Sequence, residues 1–415
     1  MKILIVNTAE KTGGAAIAAK RLTDALNNAG ADATMLVMHP ASCDKKIITT
    51  GHPLAKKVNF LWERVCIWAN NLFSRKNLFT VSIANSGCDI TKLPAFEDAD
   101  IIHLHWVNQG FLSLKSIERI ARSGKPIVWT MHDMWPCTAI CHHAHGCENF
   151  KSECRNCRFL RFPGDKDLSN RIFRKKKAVY DNARMNIVTV SRWLAQQTLQ
   201  SALLKEKPVS VIPNTLSLTK FRNMGRAESR RTLGLPENGK IILFGAARID
   251  DPIKGFPILL QALQHLAANG SCNREELHLV TFGQFKNPVP QIPIACTHIG
   301  WVGEAETLSR LYSAANVVVS ASLYETFGQT LIEALACGCL PVSFGNSGQA
   351  DIITHKENGF LAHYLSPESL AEGISWCIGT GDNTIDKEKL RNGVVERYSD
   401  TVVAAQYLEL YRSIL

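Results

Sequence analysis

Short apolar runs rich in valine and isoleucine alternate with longer helical or irregular stretches along the chain, and the alternation occurs in two successive sets. Such runs are typical of strands buried on both faces, and their alternation with helices is typical of a parallel sheet. The predicted strands are Lys2–Asn7, Thr34–Met38, Ile101–Leu104, Ile127–Met131 and Ile187–Val190, then Ile241–Ala246, Leu277–Phe282, Val317–Ser320 and Pro341–Phe344. The pattern predicts an α/β protein with two doubly wound parallel sheets.

Length and a polar segment divide these strands between two domains. A chain of 415 residues is too long for one ordinary core, and it predicts two domains of roughly 200 residues each. The segment Ser217–Gly239, rich in Arg, Gly, Asn and Glu, separates the two sets of strands. We therefore place the boundary near residue 210, which gives domains 1–210 and 211–400.

Only the first half of the chain carries a net positive charge. Residues 1–200 carry 28 Lys and Arg against 16 Asp and Glu, a net charge of +12, whereas residues 201–415 carry 19 against 21, a net charge of −2. A basic half favours an anionic partner such as nucleic acid, an anionic membrane surface or a polyphosphate ligand. Ordinary solvated surface is the alternative.

The amino terminus predicts a cytoplasmic protein. Ile3–Val6 is a run of only four apolar residues, far shorter than the hydrophobic region of a signal peptide, and no later run approaches the length of a membrane span. In that compartment the 13 cysteines are expected to be thiols or metal ligands rather than structural disulfides.

A strand, a glycine-bearing turn and a helix follow one another between residues 315 and 337. Glu325 lies at the carboxyl end of the strand, and Glu333 lies one turn inside the helix. The turn between them supplies backbone N–H groups that can bind a phosphate, and its residues are Phe327, Gly328, Gln329 and Thr330. Two carboxylates that accept from sugar hydroxyls on either side of a phosphate-binding turn predict a nucleotide-sugar site, although a lone Glu near a helix start is usually a capping residue.

Four segments of the chain resemble one enzyme family. They are Glu325 to Glu333 with the following Ala334–Val342, the loop Thr12–Ala16 after the first strand, the turn Asn358–Leu361, and the segment Thr130–Pro136. Together they resemble retaining family-4 glycosyltransferases of the GT-B fold, and the last segment resembles the colanic-acid-type subgroup that builds bacterial exopolysaccharides and surface polysaccharides.

The resemblance implies a fold and an activity. It implies two Rossmann-like domains facing across a cleft, with residues 1–210 on the acceptor side, residues 211–400 on the donor side, and a last helix at about 400–415 that packs back on the first domain. It also implies that a UDP- or GDP-sugar donates its sugar, with retention of configuration, to a glycan or polyprenyl-linked glycan acceptor. Nucleic acid is not expected as a partner.

Roles for the carboxylates and for one histidine come from the resemblance. It implies that Glu325 contacts the transferred sugar, that Glu333 contacts the ribose hydroxyls, and that the matching histidine, His132, touches the donor sugar near the reacting centre. Asp133 follows His132 at the end of the strand Pro126–Met131, and it is predicted to bind the nucleotide-sugar donor at the same edge. A structural hydrogen bond is the alternative for His132.

Two cations are candidates for stabilising the leaving diphosphate. Arg248 and Lys254 lie in a loop between a predicted strand and a helix, where fixed positive charge would stabilise the departing nucleotide more than the ground state. The alternative for Arg248 is a loop salt bridge with Asp250 or Asp251.

Three glycines are predicted to let the backbone approach the donor or a phosphate. Gly13 and Gly14 follow the first strand and open a helix, and Gly283 ends another strand at the carboxyl edge of the second sheet. No Asp-x-Asp metal motif stands in a suitable place, so the chemistry is predicted to need no metal or other cofactor.

Two other functions share some of these features. A nucleotide-sugar epimerase or a phosphorylase has the same two-domain architecture, because fold alone does not fix the reaction. A non-catalytic basic binding protein would explain the charge of the first half, but it leaves the carboxylate and glycine pattern without a purpose.

A cluster of cysteines and histidines lies between residues 137 and 157. Cys154 and Cys157 have the tight spacing of a zinc knuckle, and Cys141 and Cys147 complete a predicted structural four-thiolate zinc site. His142, His143 or His145 could substitute for one ligand. Redox-active or unliganded thiols are the alternative.

An amphipathic segment lies between residues 56 and 76. Apolar side chains recur at helical spacing and basic residues flank them; they are Val58, Leu61, Val65, Trp68 and Leu72, accompanied by Phe60 and Phe73, with Lys57, Arg64, Arg75 and Lys76. Such a helix can lie in the interface of an anionic membrane, which would place the protein peripherally on the inner face of the cytoplasmic membrane. Packing of the apolar stripe on the protein's own sheet is the alternative.

Overall fold

Two parallel β-sheets form the centres of two structural units. The computed structural model describes residues 1–51, 53–268, 273–381 and 384–415. The first unit comprises Met1–Pro213 and Val403–Leu415, and the second comprises Asn214–Val402. The α/β fold with two parallel sheets, predicted from the repeated strand pattern, is confirmed.

The first sheet has seven strands in the order β3-β2-β1-β4-β5-β6-β7. These are β1 Lys2–Ala9, β2 Asp32–His39, β3 Ile47–Thr49, β4 Ile101–Leu104, β5 Ile127–Met131, β6 Met185–Thr189 and β7 Val209–Val211. Every residue of β4 and β5 is buried, as expected for strands covered on both faces. The strand order reverses between β1 and β4, and in doubly wound sheets ligands bind at the carboxyl ends of strands beside such a point.

Six α-helices of the described ranges accompany this sheet before the chain enters the second unit. They are α1 Gly14–Asn28, α2 Pro53–Asn70, α3 Pro94–Glu97, α4 Leu114–Arg122, α5 Leu168–Asp181 and α6 Arg192–Gln200. Three of them begin at a side chain that accepts a backbone N–H of the first turn, namely Ser113, Asp167 and Ser191. Such caps satisfy N–H groups that have no partner inside the helix.

The second sheet has six strands in the order β10-β9-β8-β11-β12-β13. These are β8 Lys240–Arg248, β9 Leu277–Gln284, β10 Ala295–Gly300, β11 Val317–Ser320, β12 Leu340–Phe344 and β13 Phe360–Ala362. The accompanying helices are α7 Arg226–Thr232, α8 Phe256–Ala268, α9 Ala305–Ala314, α10 Gln329–Ala336, α11 Pro367–Trp376 and α12 Lys387–Tyr398. The order reverses between β8 and β11, so the carboxyl ends of these two strands mark the equivalent position in this unit.

The last helix, α13 Asp400–Ile414, completes the core of the first unit. Val403 and Tyr407 pack with Ile3 and Ile5 of β1. The Tyr407 hydroxyl is 2.9 Å from the Thr130 hydroxyl. The helix therefore anchors the chain end to the first sheet by apolar burial and by a buried hydrogen bond.

The strands that the pattern did not predict are the four at the edges of the two sheets. β3, β7 and β10 are only partly buried, and β13 has three residues. An edge strand is covered less completely, so it lacks the continuous apolar run by which central strands are predicted. The polar segment Ser217–Gly239 folds as part of the second unit and contains α7, and its Arg230 is buried against Ala314 and Asn316.

Within the described ranges, no helix has the length and apolarity needed to cross a bilayer.

Candidate active site

The predicted strand-turn-helix segment is present in the second unit. β11 ends at Ser320, and α10 begins at Gln329 directly after Gly328, whose φ of 119° suits glycine. Among the described residues no side chain caps α10, and its first turn contains no acidic residue. The helix start thus presents backbone N–H groups and the positive end of the helix dipole, which suits an anion.

Lys254 and Glu325 form an ion pair at this edge of the sheet. The Lys254 Nζ lies 2.5 Å from Glu325 Oε1, although the two residues are 71 positions apart. The Glu325 carboxylate raises the pKa of Lys254, against the opposing effect of burial. Lys254 is therefore a fixed cation at neutral pH, and two residues predicted separately are brought into one group.

Two serines hold Glu325 in place. The Ser322 hydroxyl donates to Glu325 Oε1 at 3.1 Å, and the backbone N–H of Glu325 donates to the Ser347 hydroxyl at 3.2 Å. The N–H of Gly348 donates to the Glu325 carbonyl at 2.8 Å. The turn after β12 thus supports the carboxylate that follows β11.

Two buried polar atoms near this turn have no hydrogen-bond partner among the described residues. They are Nε2 of Gln329 at the start of α10 and Oδ1 of Asn346 in the turn after β12. Folded proteins rarely leave buried polar atoms unsatisfied, and those that remain often point to a ligand. One unsatisfied donor and one unsatisfied acceptor therefore lie beside the turn that opens α10.

Glycines at the strand ends permit close backbone approach. A Cβ at Gly283, whose φ is +120°, would lie 1.7 Å from the Ala246 carbonyl oxygen. A Cβ at Gly255, whose φ is +68°, would lie 1.9 Å from the Ala321 carbonyl oxygen. Both positions therefore require glycine, which fixes the spacing of the carboxyl ends of β8, β9 and β11.

Arg248 lies at the end of β8, where the register with β9 shifts. Its side chain is 44% exposed, with nitrogens 3.7 Å from Asp250 and 3.3 Å from Asp251. These are the loop ion pairs that were given above as the alternative role of Arg248. The proposed contact with a leaving phosphate stays a prediction for Arg248.

Two residues predicted to contact the donor, Glu333 and Phe327, have buried side chains with partners inside the protein. Glu333 is 6% exposed and accepts a hydrogen bond from the Tyr312 hydroxyl at 2.9 Å. The Phe327 ring is buried 5.8 Å from the Tyr398 ring, so only its backbone suits the predicted phosphate contact. Thr330 is half-buried in the first turn of α10. The ribose contact of Glu333 stays a prediction.

In the first unit, Gly13 and Gly14 lie at the open start of α1. Gly13 has φ +91°, and a Cβ at either glycine would meet no atom within 4 Å. In the described part of the chain no side chain caps α1, and its first turn contains no acidic residue. This helix start therefore has the space and the polarity for an anionic group.

His132 follows β5 and lies 2.8 Å from His105, measured from Nε2 to Nδ1. Burial lowers the pKa of His132 to about 4, although the Asp133 carboxylate opposes that shift. His132 is thus a neutral imidazole at pH 7. The structure places it at the carboxyl edge of the first sheet, as its position after the strand predicted.

Asp133 is engaged by three donors of its own unit. Its carboxylate accepts from Trp106 Nε1 at 2.7 Å, from His142 Nδ1 at 2.6 Å and from the Trp135 N–H at 2.8 Å. Burial acts to raise its pKa, but His142 and these hydrogen bonds outweigh burial and lower it. These contacts suit Asp133 to organising the loop after β5. Its direct contact with a nucleotide-sugar donor stays a prediction.

Family models match both units of the chain. The model described as Glycosyltransferase Family 4 matches residues 12–220, just over half of the chain. The chain belongs to glycosyltransferase family 4. A second model, described as Glycosyl transferases group 1, matches residues 225–391 of this family-4 protein.

Two relatives of known sequence are named as a glycosyltransferase and a mannosyltransferase. An uncharacterized glycosyltransferase of Methanocaldococcus jannaschii is 27% identical over 237 residues, which are 54% of this chain and 59% of the relative. The phosphatidyl-myo-inositol mannosyltransferase of Mycobacterium tuberculosis is 26% identical over 339 residues, which are 78% of this chain and 76% of the relative. The match thus spans about three-fifths of the archaeal relative's length.

Solved structures share the fold over the full chain. Sucrose-phosphate synthase from Thermosynechococcus elongatus superposes with a TM-score of 0.67 at 20% identity, covering 100% of this chain and 98% of that one. Anabaena HepE in complex with UDP and glucose superposes with a TM-score of 0.65 at 16% identity, covering 100% of both chains. The family-4 protein therefore has the GT-B fold with two Rossmann-like domains.

The four cysteines of the predicted zinc site line one cavity of about 30 Å³; they are Cys141, Cys147, Cys154 and Cys157. Burial raises the pKa of Cys141 and Cys154 to about 12 and that of Cys157 to about 11. However, in the part of the chain that the structure describes, no group of three or more His, Cys, Asp or Glu side chains is placed to hold a metal ion.

One of the alternative zinc ligands is occupied. His142 contacts Asp133 through Nδ1 and the Ser82 hydroxyl through Nε2, at 2.6 Å and 3.1 Å, so both ring nitrogens have partners within the protein. The four-thiolate zinc site stays a prediction, and metal analysis of the purified protein is its direct test.

Two groups of residues in this family-4 site were not predicted from the sequence. His105 and Trp106 follow β4, the strand beside β5, and they bond His132 and Asp133. Ser347 follows β12 and supports Glu325. Each of these residues lies shortly after a predicted strand, and the carboxyl ends of neighbouring parallel strands meet at one edge of a sheet. Predicting these contacts would also have required the order of the strands in the sheet.

Proposed function

We propose that this protein transfers a sugar, with retention of configuration, from a UDP- or GDP-sugar to a hydroxyl of a glycan or polyprenyl-linked glycan in the synthesis of a surface polysaccharide. The observation that carries the proposal is the Lys254–Glu325 ion pair beside the uncapped start of α10. This arrangement offers a cation, a carboxylate and backbone N–H groups to a diphosphate and its attached sugar.

Stabilisation of the leaving group is the main task of the second unit. When the bond between the anomeric carbon and the diphosphate oxygen breaks, negative charge grows on that oxygen. Lys254 and the first N–H groups of α10 would stabilise that charge more strongly than the ground state, because they are oriented before the reaction begins. Glu325, held by Ser322 and Ser347, would accept from hydroxyls of the transferred sugar.

Retention follows from a front-side substitution in this proposal. The acceptor hydroxyl forms its bond to the anomeric carbon on the face that the diphosphate leaves, and the hydroxyl proton passes to the leaving phosphate oxygen. No residue needs to become a covalent intermediate, so the protein contributes position and charge. The neutral His132 would contact the donor sugar near that carbon.

A donor panel tests the activity. The purified protein is incubated with UDP-glucose, UDP-galactose, UDP-N-acetylglucosamine, GDP-mannose and GDP-fucose, and release of UDP or GDP is measured with and without lipid-linked glycan acceptors. We expect slow hydrolysis of one donor and faster turnover when a suitable acceptor is present. Conversion of a donor to its epimer without acceptor, or no binding of any donor by calorimetry, would contradict the proposal.

We also propose that α2 attaches the protein to an anionic membrane. The apolar stripe predicted between residues 56 and 76 faces outward instead of packing on the sheet. The predicted members Val58, Leu61, Val65, Trp68, Leu72 and Phe73 are exposed. Three residues that were not part of the prediction, Leu54, Trp62 and Phe79, are exposed as well. A contiguous apolar surface of this kind marks an interaction site.

The charged side chains of α2 lie partly on its inner face. Glu63 is fully buried and accepts the N–H groups of Ile83 and Ala84, and Arg64 pairs with Glu63. Arg64 was predicted as part of the basic flank, but it is buried because it bonds the carbonyls of the following segment.

Basic residues beside the apolar stripe suit anionic lipid headgroups. Lys57, Arg75 and Lys76 are exposed next to it. Exposed Arg174 and Lys175 of α5 add charge to the same unit. Anionic lipid therefore complements both the apolar stripe and the basic residues near it.

Replacing Trp62 by alanine should weaken vesicle binding about ten- to a hundredfold, because one fully inserted apolar side chain contributes roughly 1.5–3 kcal/mol. The measurement is co-sedimentation with vesicles of phosphatidylcholine containing phosphatidylglycerol. Trp301, another exposed tryptophan, provides the matched control, and Trp301→Ala should bind like the wild type. Equal binding to purely zwitterionic vesicles, or no effect of Trp62→Ala, would argue against this attachment.

A further inference from the structure

His105 and His132 lie at the carboxyl ends of the neighbouring strands β4 and β5 in the first unit. His105 Nδ1 is 2.8 Å from His132 Nε2, and the two rings meet edge to edge with centroids 5.1 Å apart and planes inclined by 19°. In such a contact between neutral imidazoles, one ring donates an N–H and the other accepts with a bare nitrogen. The proton arrangement of one histidine thus determines that of the other.

His105 is the fixed member of the pair. It is 3% exposed, its backbone N–H donates to the Val6 carbonyl at 2.9 Å, and its carbonyl accepts from Trp129 Nε1 at 3.0 Å. The His103 ring lies 4.3 Å from the His105 ring. His132 is only half-buried, so the orientation of the pair is set from the side of His105.

The His103 ring is fixed in turn by two further hydrogen bonds. Its Nδ1 is 2.6 Å from the Tyr411 hydroxyl, and its Nε2 is 2.8 Å from the Thr130 hydroxyl. The ring against which His105 rests is therefore attached to β5 and to α13. Rotation of His105 would require this buried group to move as well.

The second ring nitrogen of His105 indicates where the proton lies. Nε2 is buried and has no hydrogen-bond partner among the described residues. A proton there would create an orphaned N–H in the interior, which folded proteins avoid more strictly than an unsatisfied acceptor. The proton therefore lies on Nδ1, from which His105 donates to Nε2 of His132. A neutral His132 that accepts on Nε2 carries its own proton on Nδ1.

We propose that His105 is a positioning residue that holds His132 as the neutral Nδ1–H tautomer. His132 then offers an N–H donor, rather than a base, to the group that it contacts. The proposal rests on the proposed function for the identity of that group as the transferred sugar. The tautomer itself is a property of the protein without substrate.

The tautomer is measured by NMR on the full chain labelled with ¹⁵N-histidine, and the His132 signals are assigned by their loss in His132→Gln. For His132 in the wild type at pH 7.5 we expect a protonated Nδ1 and a bare Nε2. In His105→Leu, which lacks the N–H that donates to His132, we expect a mixture of the two His132 tautomers. A protonated Nε2 on His132 in the wild type would overturn the proposal, as would His132 signals that do not change in His105→Leu.

Kinetics separate positioning from folding. His105→Leu should lower kcat about tenfold or more with little change in KM, a loss of the size found when the hydrogen-bond partner of a metal-ligating histidine is removed. His105→Asn keeps an N–H donor near the position of Nδ1 and should restore most of kcat. If His105→Leu does not fold, the wild-type spectrum and the asparagine variant still decide the question. If the wild type shows the expected tautomer but turns over no nucleotide sugar, the proposed function is rejected while the tautomer proposal stands.

Discussion

Replacing Lys254 by alanine is expected to lower kcat for sugar transfer by about 10²- to 10³-fold, the loss typical of removing one preorganised group that stabilises transition-state charge. Lys254 is held 2.5 Å from Glu325 and stays protonated at neutral pH. The variant removes the cation but leaves the uncapped start of α10, so residual turnover is expected. The measurement is donor turnover at saturating donor, with thermal unfolding recorded in parallel.

A matched control is available on β8, the strand that precedes Lys254. Lys240 lies at the amino end of β8, away from the carboxyl edge where Lys254 follows, and Lys240→Ala should keep wild-type turnover. The effects of Lys254→Ala and Glu325→Ala on kcat should be non-additive in the double variant, because residues in direct contact are energetically coupled. Turnover at the wild-type rate in folded Lys254→Ala would remove the basis of the proposed mechanism.

Gly283→Ala is expected to destabilise the second unit by about 3–5 kcal/mol, because it combines a strained backbone with a steric overlap. The added Cβ would lie 1.7 Å from the Ala246 carbonyl oxygen at a φ of +120°. The ends of β8 and β9 would have to separate, which displaces the loop that carries Lys254. Thermal unfolding should show the midpoint falling by about 10 °C, and donor turnover should fall with it.

Gly393 provides the comparison for this prediction. It lies inside α12 of the same unit, and a Cβ there would meet no atom within 4 Å. Gly393→Ala should therefore leave the stability unchanged or raise it by up to about 1 kcal/mol. If Gly283→Ala unfolded at the same temperature as Gly393→Ala, the close approach of β8 and β9 would not exist in solution.

Apolar runs were sufficient to locate the central strands, because a strand covered on both faces must be apolar at consecutive positions. The strand-turn-helix at β11 and α10 was predictable for a similar reason, since a glycine-bearing turn between an apolar strand and a helix is a local feature. The edge strands β3, β7 and β10 were not predicted, because partial exposure removes that local signal.

The direction of α2 shows where periodicity alone is insufficient. Helical spacing placed Leu61, Val65 and Trp68 on one face, but the same spacing fits a helix that packs inward and one that faces solvent. Buried Glu63 decided the direction, because its carboxylate satisfies the backbone N–H groups of Ile83 and Ala84. That contact joins parts of the chain about 20 positions apart, and periodicity carries no information on it.

By itself, the sequence determined the α/β class, the two sets of parallel strands and the segments that carry the family resemblance, because each of these is encoded in neighbouring residues. Only the tertiary structure decided which side chains act together, since Lys254 meets Glu325 across 71 positions and His105 meets His132 across 27. Parallel strands bring their carboxyl ends to one edge whatever their separation along the chain, so the order of strands in the sheet assembles the site.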